Sequence, residues 1–173
     1  MFFTQQASLR SISKDTVLSL LSFYRKLYTP GVLFPSDVKK CFNEEKLLRT
    51  KLGDYRSPKD CILYGTDWEP ISEIAVLPFI DDLGYHSRKA IHKYKFELLE
   101  LGVVVELRNG AKFVTAGLRL PDDPSSITPA AAYSLLECLK NLQREPNDRV
   151  LDAFACKVDE RWLKTTAGYR YSK

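Results

Sequence analysis

Apolar positions recur along the chain with a helical period in some stretches and a strand-like one in others. From Ser13 to Tyr28 they fall at Val17, Leu20, Leu21, Tyr24 and Leu27, one stripe of an amphipathic helix. Ser13 stands at the N-cap, Lys14-Asp15-Thr16 fill a polar first turn, and Thr29-Pro30-Gly31 stops the helix. Ser36 caps a shorter helix to about Phe42. Leu47 to Thr50 leads into a Gly53-Asp54 turn. Ser57-Pro58-Lys59-Asp60 reads as a second turn, or as one helical turn opened by proline. Cys61-Ile62-Leu63-Tyr64, apolar and bounded by Gly65, predicts a strand. Ile71 to Leu77 predicts a short helix that ends before Pro78.

A longer helix is expected from Ser87 or Arg88 to Leu101. Ile91, Tyr94, Leu98 and Leu101 face one way, His92, Phe96 and Leu99 widen the apolar face, and Gly102 takes the left-handed cap. Val103–Leu107 and Ala111–Thr115 flank Arg108-Asn109-Gly110. Asn-Gly between two β-rich runs predicts a hairpin over 103–115, with positive φ at both residues. Pro121 to Ser126 is a polar loop. Thr128 caps a helix with Pro129 at its first position and Leu135, Leu136, Leu139 and Leu142 on its stripe. Val150 to Val158 predicts another short helix, followed by Trp162 to Thr165.

Part of this pattern occurs twice. With an offset of 115 residues and no gap, Ser11–Thr50 and Ser126–Thr165 share 11 of 40 residues, where about two or three are expected by chance. The identities include Leu20, Leu21, Leu27, Cys41, Leu48 and Thr50. Gly53, Tyr55 and Arg56 return as Gly168, Tyr169 and Arg170. Equal stripes predict equal burial in the two copies, with Cys41 and Cys156 at equivalent packed positions. The second copy stops at Lys173, so one full unit flanked by two broken ones is expected. The predicted fold class is α+β, helices with a C-terminal β-hairpin per unit and a ~115-residue repeat truncated at both ends. Residues 1–43 would end a preceding unit, 44–125 form a central module with the hairpin 103–115, and 126–173 form a second, truncated copy of the helical segment.

Composition narrows the function less than the fold. Hydrophobic residues are 45% and charged residues 28%, ordinary for a globular chain, and a net charge of +4 does not demand nucleic acid. No apolar run approaches the ~18 residues of a membrane-spanning helix, and the first residues do not read as a signal peptide. Cys41, Cys61, Cys138 and Cys156 form no CxxC pair and are expected as reduced, mostly buried thiols. His86 and His92 lack partners at metal-ligand spacing, and no GxSxG or P-loop pattern is present. Asp67, Glu69, Asp81 and Asp82 form the one acidic cluster that could hold Mg²⁺, but carboxylates before helices serve as caps. Trp68, Phe79, Tyr85 and Tyr94 are expected in core packing or a contact between modules. No catalytic residue, cofactor site or metal site is therefore predicted.

The blocks Trp162-Leu163-Lys164-Thr165, Gly168-Tyr169-Arg170, Tyr55-Arg56-Ser57-Pro58, Asp67-Trp68, Pro78-Phe79-Ile80-Asp81 and Leu101-Gly102-Val103 resemble the repeated region of the very large plant NO VEIN-like, sacsin-like proteins. The resemblance covers about Ser11 to Arg170. It implies a large intracellular protein, of cytoplasm or nucleus, with a chaperone-like or regulatory role. ATP would belong to an Hsp90/histidine-kinase-type module elsewhere in such a parent, not to this segment. The chain is accordingly expected to be a non-catalytic scaffold or interaction module, its partners being neighbouring repeat units or other proteins, with no membrane and no metal. The alternative is a winged-helix-type nucleic-acid binder. There Asn109-Gly110 would be the wing tip, and Arg88, Lys89, Lys93, Lys95 and Lys112 would reach phosphates.

Overall fold

The computed structural model describes residues 13–27, 36–84, 88–142, 148–157, 163–165 and 168–170. Among the described residues helices dominate, and the strands form two small antiparallel hairpins, an α+β arrangement. The chain divides into two compact units. One takes Met1–Asp60 and Asp81–Val103, the other Cys61–Ile80 and Val104–Lys173. Each is assembled from two separate stretches. The boundaries expected at residues 43 and 125 fall inside the first and second unit respectively.

In the first unit α1 spans Lys14–Leu27, and the Ser13 hydroxyl accepts the Thr16 N–H at 3.2 Å, the expected cap. Its Val17, Leu21 and Tyr24 are buried. After α2 (Ser36–Glu44), β1 (Leu48–Arg49) and β2 (Tyr55–Arg56) pair antiparallel across the Gly53-Asp54 turn, with Gly53 at φ +88°. Pro58–Asp60 makes one 3₁₀ turn, as its proline suggested. The helix expected from Arg88 to Leu101 is two helices, α4 (Arg88–His92) and α5 (Lys95–Glu100), broken at Tyr94. The break has a cause: the Arg25 guanidinium donates to the Lys93 carbonyl, an oxygen that a continuous helix would direct to Glu97 N–H. Ile91, Leu98 and Leu101 are buried as expected, whereas Phe96 and Leu99 are 78% and 48% exposed. Gly102 closes α5 at φ +88°. Its N–H donates to the Leu99 carbonyl and that of Val103 to Leu98, a Schellman cap.

The second unit has a larger apolar core. Cys61 to Tyr64 runs extended but forms only isolated bridges, Ile62 to Phe79 and to Val104. The helix expected at Ile71–Leu77 is instead α3 (Glu69–Ser72), with Pro70 in its first turn. Beyond it the backbone leaves the helix to pair with residues 117–119. Val76 N–H donates to Gly117 O, and Arg119 N–H to Ile74 O, each at 2.8 Å.

The hairpin expected over 103–115 is not formed. Leu107–Asn109 is a 3₁₀ turn, Gly110 has φ −100°, and α6 runs over Ala111–Gly117. No non-glycine residue among those described has positive φ. Burial overrides the local turn signal here, because the helix puts Ala111, Val114 and Thr115 inside together. Gly110 is required for another reason. A Cβ built there would lie 2.1 Å from Trp68 Cη2, so the backbone passes directly against the indole. Helix α7 (Pro129–Leu142) is capped by Thr128, whose hydroxyl accepts Ala131 N–H at 3.2 Å, and α8 (Asp148–Lys157) and the hairpin β3 (Leu163–Thr165)–β4 (Gly168–Arg170) follow. Trp68, Ile71, Val114, Ala131, Leu135, Cys138 and Phe154 belong to one buried cluster.

An offset of 115 carries the bounds of α1 onto those of α7, and α2 overlaps α8. Both hairpins also share a register: Leu48 faces Arg56 and Arg49 faces Tyr55, as Leu163 faces Arg170 and Lys164 faces Tyr169. The expectation of equal burial fails, however. Leu21 is buried but its counterpart Leu136 is 41% exposed; Leu135 is fully buried where Leu20 is half-buried, and Leu27 is 42% exposed. The Leu142 side chain lies outside the described residues. In α7 the buried positions are Ala131, Ser134, Leu135 and Cys138, about one residue and so ~100° round the helix from the Val17–Leu21–Tyr24 stripe. The neighbours explain the rotation: α1 packs on α5, whereas α7 packs on α3, α6 and the Leu107–Asn109 turn. The packed position expected for Cys156 is also corrected. It is exposed on α8, and the Cys41 side chain lies outside the described residues.

Candidate functional site

The residues with chemical potential are distributed over both units. Of the five basic residues of the nucleic-acid alternative, Lys89, Lys93 and Lys95 are exposed on or between α4 and α5, and the Arg88 side chain lies outside the described residues. Lys112 belongs to the other unit, on α6, with its ammonium 4.6 Å from the centroid of the Phe113 ring. The wing that these residues were to flank is the 3₁₀ turn and helix described above, so a winged-helix hairpin is absent from 103–115.

The acidic residues also separate. Asp67 and Glu69 are exposed in the second unit, while Asp81 and Asp82 lie in the first. There Lys14 meets Asp81 at 3.1 Å, Arg49 approaches the same carboxylate at 3.7 Å, and Lys51 meets Asp82 at 3.2 Å. Among the described residues no group of three or more His, Cys, Asp or Glu side chains converges as a metal site. His92 is half-buried on α4, and His86 lies outside the described residues.

The aromatic residues are structural where described. Trp68 is fully buried, donates its indole N–H to the Val105 carbonyl at 2.8 Å and meets Phe79 edge to face, centroids 5.9 Å apart. Tyr64 also meets Phe79 edge to face, centroids 5.2 Å apart. Tyr85 lies outside the described residues. Tyr94, in the first unit, stacks under the Arg25 guanidinium at 4.5 Å.

Arg25 and Glu97 form a polar junction that the sequence did not announce. Arg25 Nε donates to Glu97 Oε1 at 2.6 Å and its Nη2 to Oε2 at 2.9 Å, a bidentate pair that joins α1 to α5. The hydrogen bonds from Arg25 hold the Glu97 carboxyl below the usual carboxylate range, and the Glu97 hydrogen bond raises Arg25 in turn. Beside this pair Tyr24, Phe96, Glu97, Leu99 and Glu100 line a shallow, partly apolar cleft. Lys39 of α2 meets Glu100 there at 3.5 Å. Arg25 and Glu97 stand 72 residues apart, beyond any periodic pattern.

The thiols differ in accessibility. Burial pushes Cys138 up to about 12, so its thiolate is scarce at neutral pH, while Cys156 is exposed. A thiol-exchange reagent at about pH 8 is expected to modify Cys156 in the folded chain and Cys138 only when the second unit opens. Peptide mapping after timed quenching measures this; equal rates at the two sites would mean that Cys138 is not enclosed.

Among the described residues no helix is long and apolar enough to cross a membrane. No family model matches the chain, and neither the curated proteins nor the solved structures contain a match to it.

Proposed function

We propose that the chain is a non-catalytic scaffold and interaction module from the repeated region, of ~115-residue units, of a large intracellular NO VEIN-like, sacsin-like protein with a chaperone-like or regulatory role. The observation that carries this is the paired order α1–α2–β1–β2 and α7–α8–β3–β4, with a basic residue opposite tyrosine and leucine opposite arginine in both hairpins. Two segments that build the same elements from matched residues are what duplication of a module produces. Its partners are neighbouring units or other proteins, and any ATP chemistry belongs to a separate module of the parent. Carboxylates held by lysine and arginine, and aromatics used for packing, suit such a role.

Duplex-DNA binding measured against salt tests this against the nucleic-acid alternative. A scaffold module gives no more than weak attraction at low salt. Micromolar affinity whose logarithm falls steeply with the logarithm of salt concentration, and which is lost on replacing Lys89, Lys93 and Lys95 by glutamine, would overturn it.

A further inference from the structure

Helix α1 shows what this type of helix carries on its α5-facing side. Val17 and Leu21 share an apolar lining with Leu98 and Leu101, Tyr24 lies beside Phe96, and Arg25 grips Glu97. The offset of 115 places Ala132, Leu136, Leu139 and Lys140 at those four positions of α7. They form the same surface chemically: an apolar stripe at i, i+4 and i+7, then a cation. In α7 this stripe is covered only in part. Ala132 and Leu139 are half-buried, Leu136 is 41% exposed, Tyr133 beside it is 71% exposed, and Lys140 is exposed. The core of the second unit is served by Ala131, Ser134, Leu135 and Cys138, with Ala132 and Leu139 packed against its edge, so Tyr133, Leu136 and Lys140 are what that unit's own packing leaves open.

Resting on the repeat just proposed, we infer that the Tyr133–Leu136–Lys140 face of α7 docks a helix of the α5 type from another module of the same kind. The occupant carries the Glu-Leu-x-x-Leu signature that Glu97, Leu98 and Leu101 show here. Its two leucines cover Leu136 and Tyr133, and its carboxylate meets Lys140. The charge pattern selects this occupant over an arbitrary apolar helix. The cation follows the last apolar position of the stripe in both helices, and in α1 it is the group that fixes the register of α5. This chain's own α5 is already seated on α1, so the occupant comes from elsewhere.

The test adds a lactam-bridged helical peptide of residues 88–103 to the full, isotope-labelled chain and follows backbone amide shifts. Saturable shifts confined to 131–141 are expected. Lys140→Glu should weaken binding by about tenfold or more, and a peptide carrying E97K should restore it to that variant. Leu136→Asp, a change at an exposed position, should abolish the shifts while leaving the rest of the spectrum unchanged. Absence of binding, shifts on α1 alone, or indifference to Lys140→Glu would each overturn the docking inference. None of these results bears on the duplication itself, which falls separately if an experimental backbone shows residues 13–56 and 128–170 following unlike paths.

Discussion

Gly110→Ala is expected to destabilise the second unit by about 3 kcal/mol, a large effect for the addition of one methyl group. The new Cβ would stand 2.1 Å from Cη2 of Trp68 and within 3.1 Å of two further atoms of that ring. The indole has little room to retreat. It is fully buried, its N–H is bonded to Val105 O, and Phe79 braces it edge to face. Backbone strain is not the cause, because Gly110 sits at φ −100°, which alanine adopts freely. The two explanations separate in a double-mutant cycle. Trp68→Phe removes the ring atoms that would be struck, so Gly110→Ala should cost much less in that background. Denaturant unfolding followed by far-UV dichroism in all four chains of the cycle measures both terms. Strictly additive costs would show that the close approach is not what demands glycine.

Arg25→Met is expected to cost the first unit about 2 kcal/mol. The methionine keeps the aliphatic stem but leaves Glu97, a residue only 8% exposed, without its cation, and frees the Lys93 carbonyl. Arg25→Lys should recover little of this, since an ammonium cannot bind both carboxylate oxygens in parallel and stack on Tyr94 together. Full recovery by lysine would show that charge alone matters. The pair also sets a pH dependence. Glu97 is shifted down from 4.5 in the folded chain, so the unfolded chain binds its proton first as pH falls. The stabilisation is complete above about pH 4.5 and is lost as pH drops through the lower folded value. In Arg25→Met this component of the acid limb should shrink, which a comparison of unfolding midpoints between about pH 6 and pH 3 would reveal.

Local chemistry made the helix ends legible. Ser13, Thr128 with Pro129, and Gly102 each do what their side chains or lack of one dictate, and the bounds of α1 and α7 follow from them. The turn at Gly53 was readable too. The errors arose where a distant segment decides the matter. Asn109-Gly110 carries a strong hairpin signal, yet the positions that follow serve the core better as a helix, and the glycine answers to Trp68, 42 residues earlier. The stripe from Ile91 to Leu101 suggests one helix, and Arg25 interrupts it from 68 residues away. The equal stripes of α1 and α7 suggested equal burial, but a stripe names an apolar face without naming its neighbour. Of the candidate site residues, the basic set was visible as exposed charge, while the Arg25–Glu97 junction had no signature because both members look like ordinary surface residues.

The interleaving of the two units governs how the chain must be made. Residues up to Asp60 cannot complete their unit until Asp81–Val103 has left the ribosome, and Cys61–Ile80 must wait for the segment that follows Val104. During synthesis α1 therefore holds its Val17–Leu21–Tyr24 face open while some seventy further residues are added, which at about 5–20 residues per second lasts several seconds. No single cut releases either unit whole, so a deletion series will not map function onto contiguous fragments. The span most exposed to mispairing is the nascent chain between α1 and α5, and it is there that a cell would have to shield this protein.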